Sequence, residues 1–352
     1  MESKSIEQLH AEKMARWALA LIILVVALFV TSIVCLCLGT IYIPPGKVLA
    51  ILIGNTEGAS PAEVNIIQQV REPRIVMAGL VGACLSIAGT ALQGIFKNPM
   101  ASPSVIGISQ GAAFGASLMI VLGFTLVAGN FAIPVSAFVF AMVTLLLVYM
   151  LGRVEGALPT TTLLLAGIAV GAFFSAMVSL LQILAAQGST GTMERVVFWL
   201  MGSLNTANWT QTWIVLAFLI PGFILLFAFS RDLNAMIVGE THATSLGVDP
   251  KNTVKIMLFG SALVTGAAVA FTGVIAFVGL IVPHIMRMII GPDNRILFPA
   301  SLLAGAIFLI ATDTVARTIM APQELPVGVI TSLMGAPFFL YLLRRRKEAT
   351  EW

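Results

Sequence analysis

The sequence has 352 residues, of which 59% are hydrophobic and only 10% charged. A soluble domain carries about a quarter charged residues, so the composition excludes a water-soluble globular protein and points to an integral membrane protein. The formal net charge of +3 is too small to argue for a nucleic-acid partner, and the placement of the charges matters more.

Residues 1–16 carry charges of both signs and read as a short solvated tail. The run 17–39 is 23 residues long and no A-x-A site follows it. A signal-peptide core has roughly 7–15 residues, so this run is expected to be a retained first span. A helix needs about 20 largely apolar residues to cross the hydrocarbon core. On that criterion further spans are expected at 75–96, 105–128, 131–151, 163–186, 213–229, 254–272, 274–290, 296–312 and 326–343. The expectation is an all-α protein with about ten transmembrane helices, in which 17–343 form a single membrane domain. The stretch 196–204 is too short to span and is placed at an interface, and Phe271-Thr272-Gly273 reads as a very tight turn. Residues 344–352 form a basic tail.

Two connections stand out. Between the second and third spans, GIFKNPMASPSVIGISQG (94–111) interrupts the apolar pattern with a lysine, an asparagine and two prolines. Irregular polar backbone at a membrane boundary is tolerated where protein or a water-filled cavity covers it, so this segment reads as a pathway lining. The connection 230–253 contains RDLNAMIVGETHATSLGVDPKNT, with a helix-like stretch of its own. Long structured loops in compact proteins are usually functional.

Orientation follows the excess of Lys and Arg on the inner side. With the N-terminus inside, inner segments hold twelve basic residues: Lys4, Lys13, Arg16, Lys97, Arg153, Arg231, Lys251, Arg295, Arg344, Arg345, Arg346 and Lys347. Outer segments hold five, Lys47, Arg71, Arg74, Arg195 and Arg317, and both termini are then cytoplasmic. Under this orientation the regions 75–187 and 254–343 open with Gly/Ala-rich helices running in opposite directions, as inverted repeats do. Gly79, Gly82, Ala83, Ser86 and Gly89, and then Gly107, Gly111 and Gly115, have the spacing of close helix packing.

Several chemistries are disfavoured. Cys35, Cys37 and Cys84 lie inside apolar runs as small hydrophobes, and His10, His242 and His284 lack metal-site spacing, so no metal or cofactor is expected. No GxxxxGK[ST] phosphate loop occurs, so the chain cannot hydrolyse ATP by that route. Asp313, Glu155 and Glu194 are placed outside the spans or at their ends, which disfavours an ion-coupled carrier with carboxylates inside its bundle. Nor can a Ser/His/Asp set be assembled at one depth, so the chain is not expected to be an enzyme.

The segment REPRIVMAGLVGACLSIAGTALQGIFKNPMASPSVIGISQGAAFGA (71–116) resembles the permease subunits of ABC importers for iron-siderophore, haem and cobalamin. So do TTLLLAGIAVG (161–171), GETHATSLGV (239–248), FTGVIAFVGLIVPHIMRMIIG (271–291), DTVAR (313–317) and ELPVGVITSLMGAPFFLYLLRR (324–345). The resemblance implies a type II ABC importer permease of ten helices in the cell membrane. It implies a second permease copy or a sister permease, two cytoplasmic ATP-binding subunits and an extracytoplasmic substrate-binding protein. The cargo is a bulky metal chelate, with a ferric siderophore or haem preferred and cobalamin as the alternative.

By the same resemblance Asn98, Pro99 and Met100 form an inner gate, and Thr160 and Thr161 a second constriction. Lys97 stands where the family often has a small or acidic residue. Gly239, Glu240, Ala243, Leu246 and Gly247 belong to an ATPase-docking loop. His284 matches a family position and is read as structural. Arg71, Arg74 and Arg317 are expected to receive carboxylates of the binding protein.

Overall fold

The computed structural model describes residues 6–124, 131–155, 157–188 and 190–350. Lys4 lies outside the described residues, as do 125–128 of the expected third span, the end of the C-terminal tail and the side chains of His10, Arg345, Arg346 and Lys347. The helices in chain order are α1 (Ile6–Cys37), α2 (Pro45–Leu52), α3 (Pro61–Asn65), α4 (Glu72–Ile95), α5 (Ile108–Val121), α6 (Ala132–Gly152), α7 (Thr160–Gln187) and α8 (Thr192–Met201). They continue with α9 (Trp209–Ala228), α10 (Ser230–Val238), α11 (Glu240–Ser245), α12 (Pro250–Thr272), α13 (Val278–Ile290), α14 (Asn294–Thr318) and α15 (Val327–Thr350). Among the described residues seven helices are long and apolar enough to cross a membrane, and three shorter apolar ones lie at Ile108–Val121, Val278–Ile290 and Val327–Tyr341. Each of the ten expected spans therefore has its helix.

The boundaries differ in four places. The solvated tail is helical from Ile6 and continuous with the first span. The second span begins far upstream, because α3 runs through a π-helical turn, Ile66–Arg71, directly into α4. The Phe271-Thr272-Gly273 turn is no hairpin. α12 stops at Gly273 (φ +72°), and non-helical chain leads to Phe277, itself left-handed at φ +67°, before α13 begins. Finally, α14 does not end near 312, so Asp313 lies within a helix and is 1% exposed. The carboxylate placed at a span end is an interior one, and its charge is met by Arg74.

Helix α4 is the centre of the bundle. Of its most apolar stretch 83% is buried, against 11% for α1 at the periphery. Its small residues make that position possible. A Cβ at Gly82 would collide with the carbonyl of Gly305 on α14, and one at Gly89 with the carbonyl of Gly279 on α13. In lipid, where apolar burial gives little drive between helices, such backbone contact supplies dispersion energy instead. α4 packs on α13 and α14 just as α12 packs on α5 and α6, a reciprocal pairing of the two regions that sequence alone suggested as repeats.

Candidate functional site: two recesses at one end of the bundle

The lower end of α4, the start of α7 and the helices α10 and α11 gather at one end of the bundle, where Gly94 of α4 lies against Leu233 of α10. α4 closes there with a paired turn. Lys97 N–H donates to the Gly94 carbonyl (3.3 Å) and Asn98 N–H to the Gln93 carbonyl (3.2 Å). This helix ending places its penultimate residue in the left-handed region, where glycine is usual. Here that residue is Lys97, at φ +46°. A side chain in that conformation costs about 1 kcal/mol or more and persists where something else requires it. The helix is thus already closed before Pro99. Asn98 then organises the turn, its Oδ1 accepting from Met100 N–H at 3.0 Å.

The first recess, of about 610 Å³, is lined by Gln93, Lys97, Asn98, Pro99 and Met100, by Leu280, His284, Arg287 and Met288 of α13, and by Ile237 and Phe339. The second, a groove of about 1160 Å³, joins Thr160 and Thr161 to Glu240, Thr241, Thr244 and Ser245 of α11 and to Asp249 and Lys251. Within one chain the two expected gate segments therefore open into different recesses. Thr160 and Thr161 share theirs with the expected docking helix.

α11 ends on Gly247 (φ +83°), with the N–H of Val248 donating to the Ala243 carbonyl at 3.0 Å. Glu240 and Gly247 are exposed and Leu246 is 63% exposed, beside Val238 at 73%. Ala243 is buried instead, so it anchors α11 to the bundle and is not part of the exposed face.

α10 is held by a polar hub at Asp293. Its carboxylate accepts from Arg295 (Nη2, 2.7 Å), Asn234 (Nδ2, 2.9 Å) and Lys13 (Nζ, 3.1 Å), linking α1, α10 and α14. Arg295 above all, with Asn234 and Lys13, holds this carboxyl below the usual carboxylate range. A folded-state pKa below the unfolded value of about 3.9 contributes stability above that value and loses it as pH falls through the folded one. The hub is therefore constant from pH 8 to pH 5. Asp293→Ala is expected to loosen α10 by about 1–2 kcal/mol, with little of it from half-exposed Lys13. Amide hydrogen exchange across 230–238 should rise correspondingly, and unchanged protection would refute the role.

At the far end lie the three arginines expected to receive carboxylates of a binding protein, and the structure instead buries all three against carbonyls and carboxylates of this chain. Arg71, Arg74 and Arg317 are 4%, 7% and 6% exposed. Arg71 Nη1 donates to the carbonyls of Leu36 (2.7 Å) and Cys37 (3.3 Å), and Arg317 Nη2 to that of Cys35. They cap the last turn of α1, whose carbonyls have no helical partner and whose dipole favours cations. Arg74 forms a two-pronged pair with Asp313 (Nε–Oδ2 and Nη2–Oδ1, both 2.9 Å) and a third bond to Glu324 (Nη1–Oε2, 2.8 Å).

Gln93 and Arg287 were not singled out by sequence. The one available signal was a lysine where a helix-ending glycine is usual, which marks the turn that assembles the first recess. Among the described residues no cluster of His, Cys, Asp or Glu converges to hold a metal ion.

Comparison with known proteins adds four findings. The model of the FecCD transport family matches residues 22–345. The chain is 44% identical over 282 residues to the cobalamin import system permease protein BtuC of Halobacterium salinarum, covering 80% of this chain and 74% of that one. It is 37% identical over 332 residues to the Fe(3+)-citrate import system permease protein YfmE of Bacillus subtilis, covering 94% and 96%. Its fold is similar to a solved structure described as an inward-facing conformation of a metal-chelate type ABC transporter, with a TM-score of 0.81, 33% identity and coverage of 92% and 98%.

Proposed function

The chain belongs to the FecCD transport family, and from that premise we propose that it is the membrane permease of an ABC importer for a metal chelate. It is a multi-pass membrane protein and not itself an enzyme. Its energy comes from ATP hydrolysed by a partner subunit, and its cargo from a binding protein on the opposite side. The end carrying α10 and α11 is the cytoplasmic one, consistent with the excess of basic residues there.

The observation that carries this reading is the groove shared by α11 and the start of α7. An ATPase seated on Glu240 and Leu246 would press on the same recess that Thr160 and Thr161 line, so nucleotide-driven movement has a short mechanical route to the pathway. Asn98, Pro99 and Met100 serve as the second gate element. The bundle's interior carboxylate, Asp313, is already paired with Arg74 and offers no free site for a coupling ion. Identity does not choose the cargo, since relatives named for cobalamin and for ferric citrate are both similar over most of the chain.

The test is energetic. The purified chain alone should hydrolyse no ATP, and uptake by the assembled importer should stop when ATP is depleted while surviving a protonophore. Uptake that survives ATP depletion and collapses with the protonophore would establish an ion-coupled carrier instead.

A further inference from the structure

Among the described residues the first recess is lined by two cations, Lys97 and Arg287, and by no Asp or Glu. Among the described residues no carboxylate lies within ion-pair distance of Lys97 or Arg287, and the buried Nη2 of Arg287 has no hydrogen-bond partner. Gln93 is 2% exposed; its Nε2 donates to the Leu280 carbonyl at 3.0 Å while its Oε1 is unpartnered. A guanidinium nitrogen withdrawn from water with no acceptor is costly unless a ligand supplies the acceptor. Lys97 points the same way independently, because it occupies a left-handed position that glycine would hold without strain. Two unrelated costs, one electrostatic and one conformational, converge on the same 610 Å³ space beside the turn Asn98–Met100.

We infer that this recess receives an acid group of the cargo, so that the chelate passing this permease is anionic, bearing free carboxylates. This rests on the importer reading and adds the substrate class to it. Arg suits the role because its planar fork pairs with a carboxylate and stays charged at every relevant pH. The apolar wall of Met100, Leu280 and Met288 accepts the body of the chelate. A phosphate headgroup of an anionic lipid offers related chemistry, so the test must separate the two sources.

The permease is reconstituted with its ATPase and binding protein in phosphatidylcholine vesicles, with and without phosphatidylglycerol. Import of ferric citrate (anionic) and of ferrichrome and cyanocobalamin (without free carboxylates) is measured. Lys97→Gly combined with Arg287→Gln should lower ferric citrate import at least tenfold in both lipids and leave import of any neutral chelate within twofold. Lys97→Gly removes backbone strain, so misfolding does not explain a loss from that substitution, and Arg287→Lys should restore more than half of the import. Parental import of neutral chelates only, an unchanged rate in the double variant, or an equal loss for neutral cargo would overturn the inference and leave the importer intact. An effect seen only with phosphatidylglycerol would assign the recess to lipid and overturn it too. A parent that imports none of the three chelates would remove the metal-chelate reading itself, and this inference with it.

Discussion

Arg74→Ala is expected to cost the folded protein about 3–5 kcal/mol, the usual range when one member of a buried ion pair is removed. The side chains of Arg74 and Asp313 are 8% and 1% exposed, so the abandoned carboxylate has no water to turn to. Glu324, at 42%, is re-solvated and adds little. The temperature at which half the detergent-solubilised protein leaves its monodisperse peak should fall by roughly 5 °C or more. Replacing both partners, Arg74→Met with Asp313→Leu, should recover most of the loss, because an apolar pair of similar volume avoids the desolvation cost. If Arg74→Ala melts with the parent, the pair contributes nothing to stability. The same burial changes what charge reversal at Arg71, Arg74 and Arg317 would report. Glutamates there would unmake the cap on α1 and the pair with Asp313, so a loss of binding-protein docking in such a variant would reflect misfolding.

The second large effect concerns the partner subunit. Glu240→Lys combined with Leu246→Asp should abolish co-purification of the ATPase while the permease remains inserted and monodisperse. Both side chains are exposed, Glu240 on α11 and Leu246 at its C-terminal cap, so neither substitution disturbs packing, whereas burying an aspartate against an apolar groove is costly. Ala243 supplies the contrast. It is fully buried, so Ala243→Asp should unfold α11 and lose the ATPase by a different route, visible as proteolysis between α10 and α12. Normal assembly in the Glu240/Leu246 double variant would remove the docking assignment.

The sequence was most informative where one physical constraint acts on a long run of residues. Hydrocarbon thickness sets span length, so all ten spans were legible from apolar runs, including the three whose helices are short. It was least informative where partners are distant or where one residue breaks a local rule. Arg74 and Asp313 are 239 residues apart, and counting charges by side of the membrane cannot reveal that a cation is consumed inside the protein. The same count made Arg71 and Arg317 look like surface groups, although both close the end of α1. The turn 98–100 was recognised as irregular because prolines announce it. That Lys97 carries the left-handed residue of the helix ending, and that Arg287 comes to lie beside it, depends on how α13 crosses α4. The junction of α7 with α11 was hidden for the same reason, since no local pattern in 160–161 refers to 240–251.

The far end of the bundle also sets how the molecule can move. There α4 is fixed to α14 by the Arg74–Asp313 pair, and α1 is tied in by Arg71 and Arg317. Among the described residues the other end of α4 has no ion pair and is tied to α13 instead, through Gly89 against the Gly279 carbonyl and Gln93 on the Leu280 carbonyl, so the two helices would swing together where the turn at Lys97 borders an open recess. A rod clamped at one end swings most at the other. α4 has 24 residues, so it is about 36 Å long, and a tilt of about 5° about its clamped end displaces the free end by about 3 Å. That is about the width of one water molecule. The rivets at Arg74 and Arg317 would thus act as a pivot, concentrating the travel of a small rotation at Asn98–Met100 while the end they hold stays nearly still.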